Sequence, residues 1–198
     1  MKYILVVFLI GFNLGLFALD GAALTKKHCA QCHSKDGNSE KENIPKIAGF
    51  SAILLFDMLD QFKNADRSSP KITVNDKTTD MAEISQQLKS DEAETIALYL
   101  SEQTFKPSLQ EFDTALAATG KQLHQDLCND CHGENGKSAV DDAPILAGQW
   151  NKYLKRQFEE LSSHKRYMPK RMKRKFRKLN DEDKKALIEF YASRKPKL

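Results

Sequence analysis

Cys29-Ala30-Gln31-Cys32-His33 lies near the start of the chain, and Cys128-Asn129-Asp130-Cys131-His132 repeats its pattern 99 residues later. Together they contain all four cysteines and two of the five histidines. Cys-x-x-Cys-His is the attachment pattern of c-type haem: the thiols form thioethers with the porphyrin and the adjacent histidine ligates the iron. We therefore predict two covalently bound haem c groups, attached through Cys29, Cys32, Cys128 and Cys131, with His33 and His132 as axial iron ligands.

Two other chemistries use paired cysteines. An exported chain often joins four cysteines in two disulfides, but disulfides do not explain the histidine that follows each pair. Structural zinc sites gather their cysteine pairs in one compact ribbon or finger, whereas these pairs are 99 residues apart. Haem attachment is the interpretation that accounts for both complete motifs.

The N-terminal segment, residues 1–18, differs in composition from the remainder. Met1-Lys2-Tyr3 is followed by an apolar run, residues 4–18, interrupted by Gly11, Asn13 and Gly15. This pattern predicts a secretory signal peptide, residues 1–18, and hence a periplasmic protein. Retention of the run as a membrane anchor is the alternative, although about 15 apolar residues is short for a span of roughly 20.

The repeat continues beyond the two motifs. Pro45 begins Pro-Lys-Ile-Ala-Gly after the first motif, and Pro144 begins Pro-Ile-Leu-Ala-Gly at the same distance after the second. Apolar residues then recur at spacings of three and four, which predicts an amphipathic helix, and each copy closes with another such helix. The sequence therefore predicts an all-α chain of two similar domains, residues 19–105 and 111–198, joined by a linker at residues 106–110.

The two copies differ in length at one place. Pro45 to Met81 spans 36 residues, whereas Pro144 to Met172 spans 28. The eight additional residues fall in a polar stretch, residues 64–80, which we interpret as a surface loop. No stretch alternates convincingly between polar and apolar residues, so we predict no β-structure.

A histidine-bound haem iron takes a second protein ligand when it transfers electrons, and methionine in that position raises the reduction potential. Met81 lies seven residues before Leu88, and Met172 lies seven before Leu179, where the closing helices begin. This shared register selects Met81 and Met172 among five methionines, with Met168 as the alternative in the second copy. Two such ligands argue against a haem enzyme such as a peroxidase, which needs an open position on one iron.

The order of these landmarks resembles tandem class I cytochrome c domains. It is similar to the dihaem cytochrome c4 family and to the dihaem subunit of flavocytochrome c sulfide dehydrogenase. The resemblance covers nearly the whole chain after residue 20, and the repeated proline, methionine and closing-leucine landmarks narrow it beyond haem attachment alone. It implies two all-α haem domains related by approximate twofold symmetry.

The resemblance also implies that the carbonyls of Pro45 and Pro144 accept hydrogen bonds from the two haem histidines, which raises the basicity of these ligands. The copies depart from each other at Phe50, which occupies the position of Gln149, and at Phe190, which occupies that of Tyr99. A hydrogen bond made by the side chain of Gln149 or Tyr99 therefore has no counterpart in the other copy. His28, His124 and His164 are not repeated, and we interpret them as packing or surface residues.

The two domains have opposite net charge, −4 for residues 19–105 and +6 for residues 111–198. Most of the positive charge lies in residues 165–178, the basic segment, which holds nine Lys or Arg and no acidic residue. Such a segment predicts docking of redox proteins with an acidic face, because opposite charge raises the encounter rate. Peripheral association with anionic lipid and a solvated loop are the alternatives, and the chain carries no recognised nucleic-acid-binding motif.

On these residues we expect a periplasmic electron carrier between respiratory redox proteins, not an enzyme in its own right. The alternative is the haem-carrying subunit of a flavocytochrome c sulfide dehydrogenase, in which a flavoprotein subunit would supply the electrons. Redox chemistry within this chain would be the same in either case. Only the stable partner would differ.

Overall fold

The structure is a computed structural model that describes residues 19–139 and 142–194. The predicted signal peptide, residues 1–18, lies outside the described residues. The described part of the chain contains ten helical segments and one antiparallel two-stranded sheet. None of these helices combines the length and the apolar character that crossing a bilayer requires.

Four of the helices recur in the same order in both halves of the chain. The first domain contains α1 (Gly21–His28), α2 (Ala30–His33), α3 (Ala52–Lys63), β1 (Ile72–Val74), β2 (Lys77–Thr79), α4 (Met81–Gln87) and α5 (Ser90–Ser101). The second contains α6 (Thr114–Leu127), α7 (Gly133–Gly136), α8 (Asn151–Ser162), α9 (Lys170–Phe176) and α10 (Asp181–Ala192). α7 is a tight turn, because Glu134 and Asn135 adopt left-handed dihedral angles. The predicted pair of mainly α-helical domains is confirmed.

The first helix of each domain packs closely against the last helix at a glycine. A Cβ on Gly21 of α1 would lie 2.6 Å from Cβ of Tyr99 in α5. A Cβ on Gly120 of α6 would collide with the backbone carbonyl of Ala186 in α10. α1 and α6 each end at the first cysteine of a haem motif, so this close packing positions both motifs.

The two domains share part of one core. The apolar cluster of the first domain contains Phe50, Leu88, Ile96 and Leu100, together with Ile145 from the second domain. The second cluster contains Leu154, Leu179, Leu187, Ile188, Phe190 and Tyr191. Because Ile145 packs across the boundary, the domain interface is buried and apolar at this point.

Residues of the predicted linker are hydrogen-bonded to both domains. Nζ of Lys106 lies 2.7 Å from a carboxylate oxygen of Asp36. The backbone N–H of Ser108 donates to the carbonyl of Gly148 at 2.8 Å. The linker therefore packs between the domains and helps to hold them together.

The hairpin of β1 and β2 contradicts the prediction of no β-structure. Its strands pair Ile72 with Thr79, and Asn75 and Asp76 form the turn with φ of 49° and 61°. Positive φ at both central residues is what a tight two-residue hairpin requires, and β-branched residues favour the flanking strands. Three-residue strands are too short to show alternation, which is why the sequence pattern did not indicate them.

Candidate haem sites

The two Cys-x-x-Cys-His motifs form the same backbone hydrogen bonds. The carbonyl of Cys29 accepts hydrogen bonds from the N–H groups of Cys32 at 3.1 Å and His33 at 2.9 Å. In the second motif the carbonyl of Cys128 accepts from the corresponding residues at 3.2 and 2.9 Å. None of the four cysteines forms a disulfide. The fold therefore presents the two sets of predicted attachment residues in equivalent turns.

In each motif, one ring nitrogen of the histidine lies within hydrogen-bonding distance of a proline carbonyl oxygen. Nδ1 of His33 lies 3.0 Å from the carbonyl oxygen of Pro45, and Nδ1 of His132 lies 3.3 Å from that of Pro144. When Nδ1 carries the proton and donates it, Nε2 remains free to bind a metal. Burial lowers the pKa of His33, and it lowers the pKa of His132 to about 4. Both imidazoles are therefore neutral at neutral pH, the form that ligates iron.

Two adjoining cavities, both partly open to solvent, lie beside the first motif. Cys32, His33 and Met81 line both of them, and Cys29 lines the smaller. The remaining shared lining is mostly aliphatic, from Ile47, Leu55, Leu59 and Ile84. The structure thus brings together the predicted histidine, methionine and cysteines of the first domain at one apolar site.

The hairpin forms part of the wall of this site. Ile72 and Thr79 line the larger cavity. The hydroxyl of Ser69, just before β1, accepts a hydrogen bond from the backbone N–H of Met81 at 2.8 Å. Lys71 forms an exposed ion pair with Glu83 of α4 at 3.2 Å. The polar stretch that is longer in the first copy therefore lines this site and attaches to the helix that carries Met81.

The two methionine candidates of the second domain have different settings. Met168 lies two residues before α9 and is 9% exposed, whereas Met172 is the third residue of α9 and is half-buried. Met81 is the first residue of α4, so α4 and α9 begin at different points relative to the proposed ligands. α9 packs on α8 through Phe176, whose ring centroid lies 5.8 Å from that of Phe158. The greater burial of Met168 favours it as the iron ligand. The distance along the chain to Leu179 favours Met172 instead.

The buried, unrepeated histidine of the second domain is a packing residue, as predicted. His124 is fully buried and its Nδ1 lies 3.0 Å from the hydroxyl of Tyr191. The corresponding residues of the first domain are Thr25 and Leu100. His164, by contrast, is exposed, and His28 lines the smaller cavity beside Cys29.

Two arginines that the sequence analysis did not single out meet at the domain interface. Arg67 and Arg166 form an isolated antiparallel bridge, and both guanidinium groups donate to Oε1 of Gln157, at 3.1 and 2.5 Å. Arg67 is 6% exposed, and its Nε lacks a hydrogen-bond partner. Burial, together with the charge of Arg67, lowers the pKa of Arg166 to about 10. The two arginines lie at the same distance along the chain from Pro45 and Pro144, respectively, a repeat that was visible in the sequence.

This arginine pair indicates a place for an anion. Within residues 19–139 and 142–194 neither guanidinium forms a salt bridge. A buried cation without a counter-ion is strongly unfavourable. Arg67 also lines the larger cavity with Cys32 and His33. Haem carries two propionate carboxylates, so the residues of this cavity fit haem both in its apolar walls and in the charge at its edge.

Comparison with known proteins agrees with this geometry. The family model described as cytochrome c matches residues 18–104, and the model described as cytochrome c oxidase, cbb3-type, subunit III matches residues 115–190. Cytochrome c4 of Stutzerimonas stutzeri is 31% identical over 141 residues, which cover 67% of this chain and 66% of that protein. Cytochrome c4 of Pseudomonas aeruginosa is 30% identical over 141 residues, 67% of this chain and 65% of that protein. The matched region thus spans just under two thirds of these relatives.

Solved structures extend the match over nearly the whole described chain. Reduced recombinant cytochrome c4 from Pseudomonas stutzeri superposes with a TM-score of 0.70 at 28% identity, covering 87% of this chain and 95% of that one. The chain belongs to the cytochrome c4 family. As a dihaem class I c-type cytochrome, it has covalently bound haem c as the cofactor of both domains.

Two more distant structures share the cytochrome c4 fold. A cytochrome c4 from Acidithiobacillus ferrooxidans has a TM-score of 0.67 at 24% identity and covers 84% of this chain and 99% of its own. A thiosulfate dehydrogenase from Marichromatium purpuratum has a TM-score of 0.71 at 22% identity, covering 88% of this chain and 39% of that one. A similar fold therefore also forms part of a larger protein.

Proposed function

We propose that this cytochrome is a periplasmic electron carrier that moves electrons between respiratory redox proteins through two His/Met-ligated haems. Haem c supplies reversible one-electron chemistry. The observation that carries the proposal is that His33 and Met81 line the same apolar cavities. Protein ligands on both axial positions would leave none for a substrate, which suits electron transfer and not catalysis.

The proposed roles follow the repeat. Cys29 and Cys32 attach the first haem, and Cys128 and Cys131 attach the second. His33 with Met81, and His132 with Met172, supply the axial ligands, while Arg67 and Arg166 hold propionates at the interface. We propose domains at residues 19–105 and 111–198, joined by residues 106–110.

We propose Met172 rather than Met168 as the iron ligand because of its distance along the chain from Leu179, which matches that of Met81 from Leu88. Leu88 and Leu179 are both buried in the core clusters of their domains. Met81 and Met172 lie the same number of residues before these anchored positions. Equal chain length from an equivalent anchor supports an equivalent place for the sulfur atom.

Purification of the exported protein tests the cofactor and ligand assignment. We expect a mass that exceeds the processed polypeptide by two haem groups, and a methionine–iron charge-transfer band from both haems in the oxidised protein. A high-spin haem in the spectrum would indicate an open axial position and would favour a haem enzyme.

The basic segment is the proposed docking surface for acidic redox proteins. α9, within the segment, has no buried residue, and the neighbouring Tyr167 is 69% exposed. Arginine and tyrosine are enriched in protein interfaces, and the surrounding lysines would steer an acidic partner. In the described residues its one ion pair joins Lys175 to Asp130 at 4.0 Å, so most of its charge is not neutralised within the chain.

Reversal of charge within the segment tests this docking role. The double variant Arg171→Glu with Arg174→Glu should slow reduction by the physiological donor several-fold at low salt and weaken the dependence of the rate on ionic strength. Lys26→Glu with Lys27→Glu, on α1, makes the same change in net charge and serves as the control. Equal effects of the two double variants would show that the reduction rate depends on the net charge of the protein and not on this surface.

A stable enzyme partner is the second candidate. The specific observation is that the same fold forms part of a thiosulfate dehydrogenase. Purification from the native source separates the two functions. A stoichiometric flavoprotein or other dehydrogenase subunit would identify this cytochrome as a subunit, and a monomeric haem protein would identify it as a free carrier.

A further inference from the structure

We propose that Gln149, a residue of the second domain, is a positioning residue for His33 and lowers the reduction potential of the first haem. The inference rests on the proposed role of His33 as an axial ligand. It assigns to the domain interface a direct influence on one of the two irons, in addition to holding the domains together.

The peptide group between Pro45 and Lys46 is hydrogen-bonded on both sides. Its carbonyl oxygen lies 3.0 Å from Nδ1 of His33, and its N–H donates to Oε1 of Gln149 at 3.0 Å. Nε2 of Gln149 in turn donates to the carbonyl of Lys46 at 2.6 Å. Lys46 and Gln149 are 4% and 1% exposed, respectively. A continuous chain of hydrogen bonds, shielded from water, thus runs from His33 to the other domain.

This arrangement acts on the histidine through polarisation. A peptide group whose N–H donates a hydrogen bond is a stronger acceptor at its carbonyl, because bonds in a chain strengthen one another in a medium of low dielectric constant. A stronger acceptor at Nδ1 makes the imidazole a more basic ligand. A more basic ligand stabilises the oxidised iron, so the amide of Gln149 lowers the potential of the first haem.

The second domain supplies an internal comparison. The position equivalent to Gln149 is Phe50, and the residue equivalent to Lys46 is Ile145. Phe50 packs in the same apolar cluster as Ile145 and has no atom that could accept a hydrogen bond from the peptide. Nδ1 of His132 lies 3.3 Å from the carbonyl of Pro144, whereas the corresponding distance in the first domain is 3.0 Å. The longer contact occurs where the polarising amide is missing.

Gln149→Met tests the inference, because methionine keeps the length of the side chain and removes the amide. We expect a positive shift in the potential of the first haem and an unchanged second haem, measured by redox titration followed through NMR resonances of haem methyl groups assigned to each domain. The hyperfine-shifted signals of the His33 ring should also move. Trp150→Phe is the matched control: it removes another cross-domain bond, Nε1 to the carbonyl of Ser39 at 2.9 Å, in which the Pro45–Lys46 peptide takes no part, and it keeps an aromatic ring beside the Lys46 ammonium.

The reciprocal variant Phe50→Gln places an amide opposite Ile145 and should lower the potential of the second haem. If Gln149→Met does not fold, Phe50→Gln still tests whether the amide lowers the haem potential. Unchanged potential of the targeted haem in a folded variant, or an equal shift from Trp150→Phe, would overturn the inference. Neither result would affect the proposed function, whose own tests are the presence of two low-spin His/Met haems and the absence of a stable enzyme partner.

Discussion

The two domains share one backbone plan but differ in what surrounds their haem sites. In the first, the hairpin and three residues of the other domain, Tyr153, Arg156 and Gln157, line the cavity that holds His33 and Met81. In the second, the exposed and strongly basic α9 carries the proposed ligand Met172. The two domains therefore share the attachment motif but differ around it: the hairpin and the second domain form walls of the first site, whereas the second site lies beside a charged surface.

Removal of either proposed methionine ligand should give the largest change in haem potential. It also tests whether the two methionines have equivalent roles. Met81→Ala and Met172→Ala should each lower the potential of one haem and abolish its charge-transfer band, because methionine ligation raises the potential. Both haems should stay attached, since the thioethers do not involve methionine. Redox titration and protein mass measure these outcomes. Met168→Ala is the matched control, and a fall in potential there but not in Met172→Ala would reverse the assignment.

Deletion of residues 71–78 would give the first copy the loop length of the second. We expect a lower potential for the first haem and faster binding of added imidazole to it, because greater solvent access stabilises the charge of the oxidised iron. Asn75→Gly, which suits the hairpin turn, should preserve both properties. If the deletion left the potential and the imidazole-binding rate of the first haem unchanged, the hairpin would not be a functional cover.

The features that could be predicted from sequence are those carried by short stretches of the chain. The 99-residue repeat predicted two helical domains, and the Cys-x-x-Cys-His motifs predicted the cofactor, because each depends on residues close together in the chain. The difference between Phe50 and Gln149 was visible, but its meaning was not, since the partner Lys46 lies 103 residues from Gln149. Likewise Arg67 lies in a polar stretch, and only the packing of the second domain shows that it is buried.

The first and last helices of each domain pack together at a glycine, and substitution of that glycine tests whether the two contacts are equally tight. Gly120→Ala should destabilise the second domain more than Gly21→Ala destabilises the first, with costs of about 1–3 kcal/mol for overpacking. The added Cβ at Gly120 meets the backbone of Ala186, whereas that at Gly21 meets first the side chain of Tyr99. Denaturant unfolding of the haem-loaded protein measures both free energies. Equal costs would indicate that α6 and α10 can separate as easily as α1 and α5.

The smallest expected effect concerns the ion pair that ties the linker to the first domain only. The position equivalent to Asp36 is Asn135 in the second domain, so Asp36→Asn makes the two copies alike. Burial acts to raise the pKa of Asp36, but hydrogen bonds and charge from Lys106, together with Asn38, outweigh it and lower the pKa from 3.8 to about 2.

A carboxyl group whose pKa is lower in the folded state than in the unfolded state contributes stability above its unfolded value, and loses it as pH falls through the folded value. The difference in free energy of unfolding between the unmodified protein and Asp36→Asn should therefore be constant above pH 3.8 and shrink as the pH falls toward 2. It should also be small and decrease with salt, because Lys106 is largely exposed. Denaturant unfolding at several pH values measures it, and a difference independent of pH would show that the carboxylate charge is not what holds the linker.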